Sequence, residues 1–176
     1  MSILVTFMLA VGLSMDAFSL ALIYGTLNLD SKMQKLMSIT VGVFHFFMPI
    51  IGYQIGELIL KLIKINPEIL VGIIFIILGI EMIISIKEEE NVKTLTNFLS
   101  VAFFAFTVSI DSFSIGIGFG AINSKIVIPS LIFMFTSAIF TYTGVKLGTK
   151  LKKHFGNITT IIGAVILMIL GISYLI

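Results

Sequence analysis

Six runs of apolar and small residues, each long enough to cross a lipid bilayer, leave this chain little room to fold as anything but a membrane bundle. They lie near residues 3–26, 36–60, 68–86, 98–122, 126–148 and 157–176. About 20 such residues, rising 1.5 Å each as a helix, span the ~30 Å of bilayer hydrocarbon. None alternates with the two-residue period of a spanning strand, so helices are expected. Composition agrees, with 58% hydrophobic and 11% charged residues. A soluble domain carries roughly 45–50% and about 25%, and one soluble core cannot hide so much apolar surface. The expected fold class is an all-α membrane protein of six transmembrane helices, forming a single membrane domain over 1–176.

Several functions are excluded. The net charge is +2 and there is no arginine, so no basic stripe exists to grip nucleic acid. Cysteine is absent, which removes thiolate catalysis and thiolate metal sites. No Walker lysine loop, HExxH or GxSxG motif occurs, so neither an enzyme, nor a resident cofactor, nor ATP-driven transport within this chain is expected. Met1–Ser2 lacks positive charge, and the run that follows contains Asp16. It reads as a retained span rather than a signal peptide.

The connections are short and polar. Asn28–Lys35 joins the first two helices, with Asp30 and Ser31 as caps. Asn66 caps the third, with Pro67 at its first position, where a missing N–H is harmless. A polar linker, 87–97, holds Glu88, Glu89 and Glu90. Lysines set orientation. Lys32, Lys35, Lys87, Lys93, Lys146, Lys150, Lys152 and Lys153 flank the connections after helices one, three and five, against Lys61, Lys64 and Lys125 on the other side. This bias places both termini outside the cytoplasm.

An internal repeat organises the chain. Ser14-Met-Asp-Ala-Phe-Ser-Leu-Ala-Leu-Ile-Tyr-Gly25 returns as Ser109-Ile-Asp-Ser-Phe-Ser-Ile-Gly-Ile-Gly-Phe-Gly120, an offset of 95. Further on the offset is 92, relating Gly52 and Gly56 to Gly144 and Gly148, and Leu78-Gly79-Ile80 to Leu170-Gly171-Ile172. Polar identities recur in register, which composition alone does not produce. The first repeat covers 1–90 and the second 98–176. Three spans per repeat is an odd number, so the repeats would enter the membrane in opposite senses, as in transporters that alternate access around a central site.

Asp16 and Asp111 carry the chemistry. Each falls near the middle of its expected span, where an ionisable side chain costs about 2.5–3.5 kcal/mol to insert. A cation, a proton, a hydrogen-bond partner or a water-filled cavity must offset that cost. Two carboxylates meeting at a pseudo-two-fold axis would bind a divalent cation; protonated carboxyls joining helices are the alternative. Ser19 and Ser114 stand three positions along on the same face, as oxygen ligands or as donors to the carboxylates. His45, four residues before Pro49, is either a third ligand or a packed neutral histidine bonded to a serine or carbonyl. Its counterpart is Ser137. Pro49 is expected to kink its helix. Glu81 and Glu57 are either pathway residues or interfacial glutamates. Carboxylates with hydroxyls favour Mg²⁺ or Ca²⁺, and an imidazole moves the preference toward manganese or a later metal. Protons compete for the same carboxylates and are a candidate counter-ion. Small-residue spacings such as Gly52-xxx-Gly56 serve helix packing within one chain or within a homo-oligomer.

At Ser14-Met-Asp-Ala-Phe, at Thr107-Val-Ser-Ile-Asp-Ser-Phe-Ser, and at Met48-Pro-Ile-Ile-Gly-Tyr53, the chain resembles the manganese efflux pump family, MntP, over nearly its whole length. The resemblance implies a bacterial inner-membrane exporter of Mn²⁺, with functional aspartates at Asp16 and Asp111. A group of sporulation membrane proteins shares the paired-aspartate pattern. A non-transporting scaffold and a transporter of another cation therefore stand as alternatives.

Overall fold

The computed structural model describes residues 3–27, 29–62, 66–85, 98–122, 125–150 and 154–175. Among them every regular element is helical: α1 (Ile3–Gly25), α2 (Ser31–Leu62), α3 (Pro67–Ser85), α4 (Phe98–Thr107), α5 (Ile110–Ala121), α6 (Val127–Gly148) and α7 (His154–Leu175). The polar linker 87–97 lies outside the described residues.

Local chemistry sets the helix starts. The Asp30 carboxylate accepts the Met33 N–H at 2.7 Å, an N-cap that begins α2 five residues earlier than the apolar run. Lys32 and Lys35 therefore stand on the helix and not in a loop, and both are exposed. Asn66 Oδ1 accepts the Glu68 N–H at 3.0 Å, and Pro67 opens α3. The α2 helix continues through Pro49 without interruption.

The expected single helix over 98–122 is two helices. α4 and α5 meet at 44°, joined by Val108 and Ser109. Neither glycine nor proline marks the bend; hydroxyls do. Thr107 Oγ1 donates to the Phe103 carbonyl at 2.9 Å and Ser109 Oγ to the Ala105 carbonyl at 2.7 Å. Ser112 Oγ donates to the Ser109 carbonyl at 2.7 Å, and the Ser112 N–H turns to the Asp111 carboxylate at 2.7 Å. Such side-chain bonds compete with the backbone ladder and bend helices. The matching part of α1 is unbroken over all 23 residues.

α1, α2 and α6 are long and apolar enough to cross a membrane, and α4 with α5 make a fourth if taken together. α3 and α7 contribute shorter apolar runs, Glu68–Ile80 and Ile161–Leu175. Ile39, Val43, Phe47, Ile51 and Ile55 form an exposed stripe on α2, and Leu131, Phe135, Ile139 and Leu147 do so on α6. Large apolar side chains facing outward every fourth residue are covered by lipid.

The helices pair as α1 with α6, α2 with α5, α3 with α7, and α2 with α6. Glycines make these approaches close. A Cβ at Gly52 would collide with the Phe113 carbonyl, and one at Gly56 with the Ile117 carbonyl. A Cβ at Gly144 would meet the Phe18 carbonyl, and one at Gly148 the Leu22 carbonyl. These are the same contacts: Phe18 and Leu22 stand 95 residues before Phe113 and Ile117, and Gly52 and Gly56 stand 92 before Gly144 and Gly148. Gly120 against Tyr53 likewise matches Gly25 against Val145. Between α2 and α6, a Cβ at Gly42 would lie 2.9 Å from the carbonyl of Met134, its own counterpart. The small-residue faces are thus occupied inside the chain.

Candidate functional site

Two buried polar pairs hold the middle of the bundle. Ser14 Oγ of α1 lies 3.1 Å from Ser137 Oγ of α6. His45 Nδ1 of α2 lies 2.8 Å from Ser109 Oγ at the bend. Ser109 stands 95 residues after Ser14, and Ser137 stands 92 after His45. One hydrogen bond is therefore the counterpart of the other, with an imidazole in place of a hydroxyl. All four residues are 0% exposed.

The imidazole is held by both kinds of partner expected of a packed histidine, a serine and a carbonyl. Its Nδ1 also lies 3.0 Å from the Val41 carbonyl. Its Nε2 is buried with no hydrogen-bond partner among the described residues, as is Thr141 Oγ1. A buried polar atom left unbonded is costly, and an imidazole nitrogen with a bare lone pair is an acceptor for a proton or a metal ion.

Asp16 is half-buried on α1, and Asp111 is half-buried on α5. Asp111 is not at mid-helix: the bend places it in the first turn of α5. There the helix dipole favours a carboxylate, and the carboxylate accepts the Ser112 N–H. Ser19 is fully buried and donates to the Met15 carbonyl at 2.9 Å. Ser114 donates to the Ile110 carbonyl at 3.3 Å. Both hydroxyls donate to carbonyls of their own helices. Glu57 is exposed on α2. The Glu81 side chain lies outside the described residues. Among the described residues, no three His, Cys, Asp or Glu side chains form a group that could hold a metal ion. Asp16, Asp111 and His45 thus do not make a closed three-ligand cage in this conformation.

Sequence reasoning missed Ser109 as the partner of His45. The signal was present: Ser14 and Ser109 open the two copies of the repeated motif, and Ser137 is the counterpart of His45. It also missed Thr141, which carries no repeated polar identity, since its counterpart is Pro49.

Long apolar helices, lipid-facing stripes, and half-buried acids on helices define a multi-pass α-helical membrane protein with a polar interior. Comparison with known sequences narrows the class. The family model described as "Putative manganese efflux pump" matches residues 28–175, and the chain belongs to that family. A protein named "Putative manganese efflux pump MntP" from Geobacillus thermodenitrificans is 32% identical over 96% of this chain and 92% of its own. Another of that name from Methanosphaera stadtmanae is 34% identical over 96% of each chain. One from Bacillus pumilus is 33% identical over 95% of this chain and 91% of its own. No solved structure matches.

Proposed function

We propose that this chain is a secondary transporter, not an enzyme, that exports Mn²⁺ across the bacterial cytoplasmic membrane. It works by alternating access of two inverted repeats of three spans each. The supporting observation is that Asp16 and Asp111 are counterparts in halves whose glycine-to-carbonyl contacts recur at the same two offsets. An odd number of spans per half inverts the second, and such repeats form a transport site at their interface. The names of the relatives supply the ion.

Asp16 and Asp111 bind the ion, His45 supplies a third ligand through Nε2, and Ser19 and Ser114 contribute oxygens. Two carboxylates and one imidazole suit Mn²⁺, which takes oxygen and nitrogen together. The ligands close around the ion only when it binds, in keeping with a site that must also release it. Protons compete for the same carboxylates and drive export in exchange. Glu81 and Glu57 stand along the pathway on opposite sides. The lysine bias puts both termini outside the cytoplasm.

Cellular manganese content and survival in high manganese test this reading. Cells relying on Asp16→Asn or Asp111→Asn should retain manganese like cells without the protein. Normal export by both variants, at normal membrane levels, would overturn it. A reporter fused after Ile176 should be silent in the cytoplasm; a cytoplasmic signal would reverse the orientation.

A further inference from the structure

We propose that Ser109 is a positioning residue for His45 and, through it, sets the preference of the site for Mn²⁺ over Mg²⁺. The proposal deepens the reading of His45 as a ligand and rests on it.

The hydrogen bonds fix which nitrogen is bare. Nδ1 faces the Val41 carbonyl at 3.0 Å and Ser109 Oγ at 2.8 Å. A carbonyl only accepts, so Nδ1 carries the hydrogen. The Ser109 hydroxyl donates to the Ala105 carbonyl at 2.7 Å, so its oxygen meets the imidazole with a lone pair. Both partners thus select the tautomer protonated at Nδ1. The bare nitrogen is Nε2, the fully buried atom with no hydrogen-bond partner among the described residues.

The two partners differ in what they report to the ring. Val41 lies one turn back on the same helix and moves with His45. Ser109 belongs to the two-residue joint between α4 and α5, and Asp111 follows two positions later. Ser109 is therefore the hydrogen bond that fixes the aim of Nε2 relative to the helix carrying the carboxylate. Partners on the far nitrogen of a ligating imidazole orient it in this way. The aim matters unequally to different ions. Mg²⁺ takes oxygen and retains its waters, whereas Mn²⁺ accepts an imidazole nitrogen. A misaimed ring should weaken Mn²⁺ and leave Mg²⁺ alone.

The other half provides an internal control. Ser14 and Ser137 make the counterpart hydrogen bond at 3.1 Å, with no imidazole in it. Removing it disturbs the same kind of buried contact without touching a nitrogen ligand.

The test uses the full chain in lipid nanodiscs. Mn²⁺ and Mg²⁺ titrations are compared with the ¹⁵N–¹H spectrum of ¹⁵N-histidine-labelled protein. Ser109→Ala should weaken Mn²⁺ binding about 10-fold, leave Mg²⁺ binding unchanged, and shift the His45 Nδ1–H resonance. Ser109→Thr should restore both readouts, and Ser14→Ala should leave the Mn²⁺/Mg²⁺ ratio as in the unmodified chain. Ser109→Cys, close in size and a poorer acceptor, should fall between and serves if Ser109→Ala does not fold. The proposal is overturned if Ser109→Ala (or Ser109→Cys in its place) weakens both ions equally or neither. It also fails if Ser14→Ala lowers the ratio as much. His45→Ala separates the two levels. Mn²⁺ preference that survives it removes His45 as a ligand, and the proposal falls with it. Preference lost in His45→Ala but kept in Ser109→Ala overturns the positioning role alone.

Discussion

α1 and the α4–α5 pair are counterparts in sequence and unlike in shape. α1 passes its aspartate as an unbroken helix, whereas the second copy bends by 44° just before its own. The partners they meet are the same: each packs its Phe18 or Phe113 carbonyl, and its Leu22 or Ile117 carbonyl, on a glycine. Packing along the motif beyond the acid is thus shared, and the difference lies around the acid itself, where Ser112 with its hydroxyl stands in place of Ala17. There α1 has Gly12 and Ser14 where the second copy has Thr107 and Ser109. Close helix contact tolerates a local change of backbone on one side, provided the glycine seats beyond it are kept.

The comparison can be broken at several levels. The largest effect is expected at the acids. Asp16→Asn and Asp111→Asn should abolish export to the same extent despite the different backbones, as measured by manganese efflux from loaded cells. Loss in only one of them would show that the halves do not share the work.

Gly56→Leu and Gly148→Leu come next. Each drives a side chain into a carbonyl of the facing helix, and neither backbone can yield without parting the pair. Overpacking typically costs about 1–3 kcal/mol, and here the upper end is expected in both halves, read as lost thermal stability in detergent. If one glycine accepted leucine freely, the paired contacts would not be equivalent.

Ser14→Ala should cost less, about 1 kcal/mol, the usual worth of one buried hydrogen bond between membrane helices. Chemical unfolding in mixed micelles would measure it. Gly12→Ala should cost least. A Cβ there meets the Leu167 side chain at 3.4 Å, an ordinary contact, and alanine gains up to about 1 kcal/mol of helix propensity. A clear loss of stability would mean that α1 needs Gly12 for more than packing.

Much of the fold could be read in advance because lipid imposes a strong pattern. The apolar runs gave helix positions to within a few residues wherever they coincided with caps such as Asn66. They misplaced the start of α2 because Lys32, Gln34 and Lys35 are polar yet good helix formers behind the Asp30 cap. The bend was missed because hydrophobicity does not register it: Val108 is as apolar as its neighbours, and the cue lies in hydroxyls at Thr107, Ser109 and Ser112. The acids and His45 stood out as the groups with most to lose in hydrocarbon. Their partners did not, since serine is common in membrane helices, and only folding shows which hydroxyl reaches an imidazole.

The length of α2 has a consequence for how the molecule sits in its bilayer. Its 32 residues make a rod of about 48 Å, well beyond the ~30 Å hydrocarbon slab. The exposed apolar stripe from Ile39 to Leu58 accounts for about 29 Å of it, which matches the slab. With that stripe matched to the slab, the two turns before Ile39, carrying exposed Ser31, Lys32 and Lys35, would stand at the level of the phospholipid headgroups. Ammonium groups at that level attract anionic lipid.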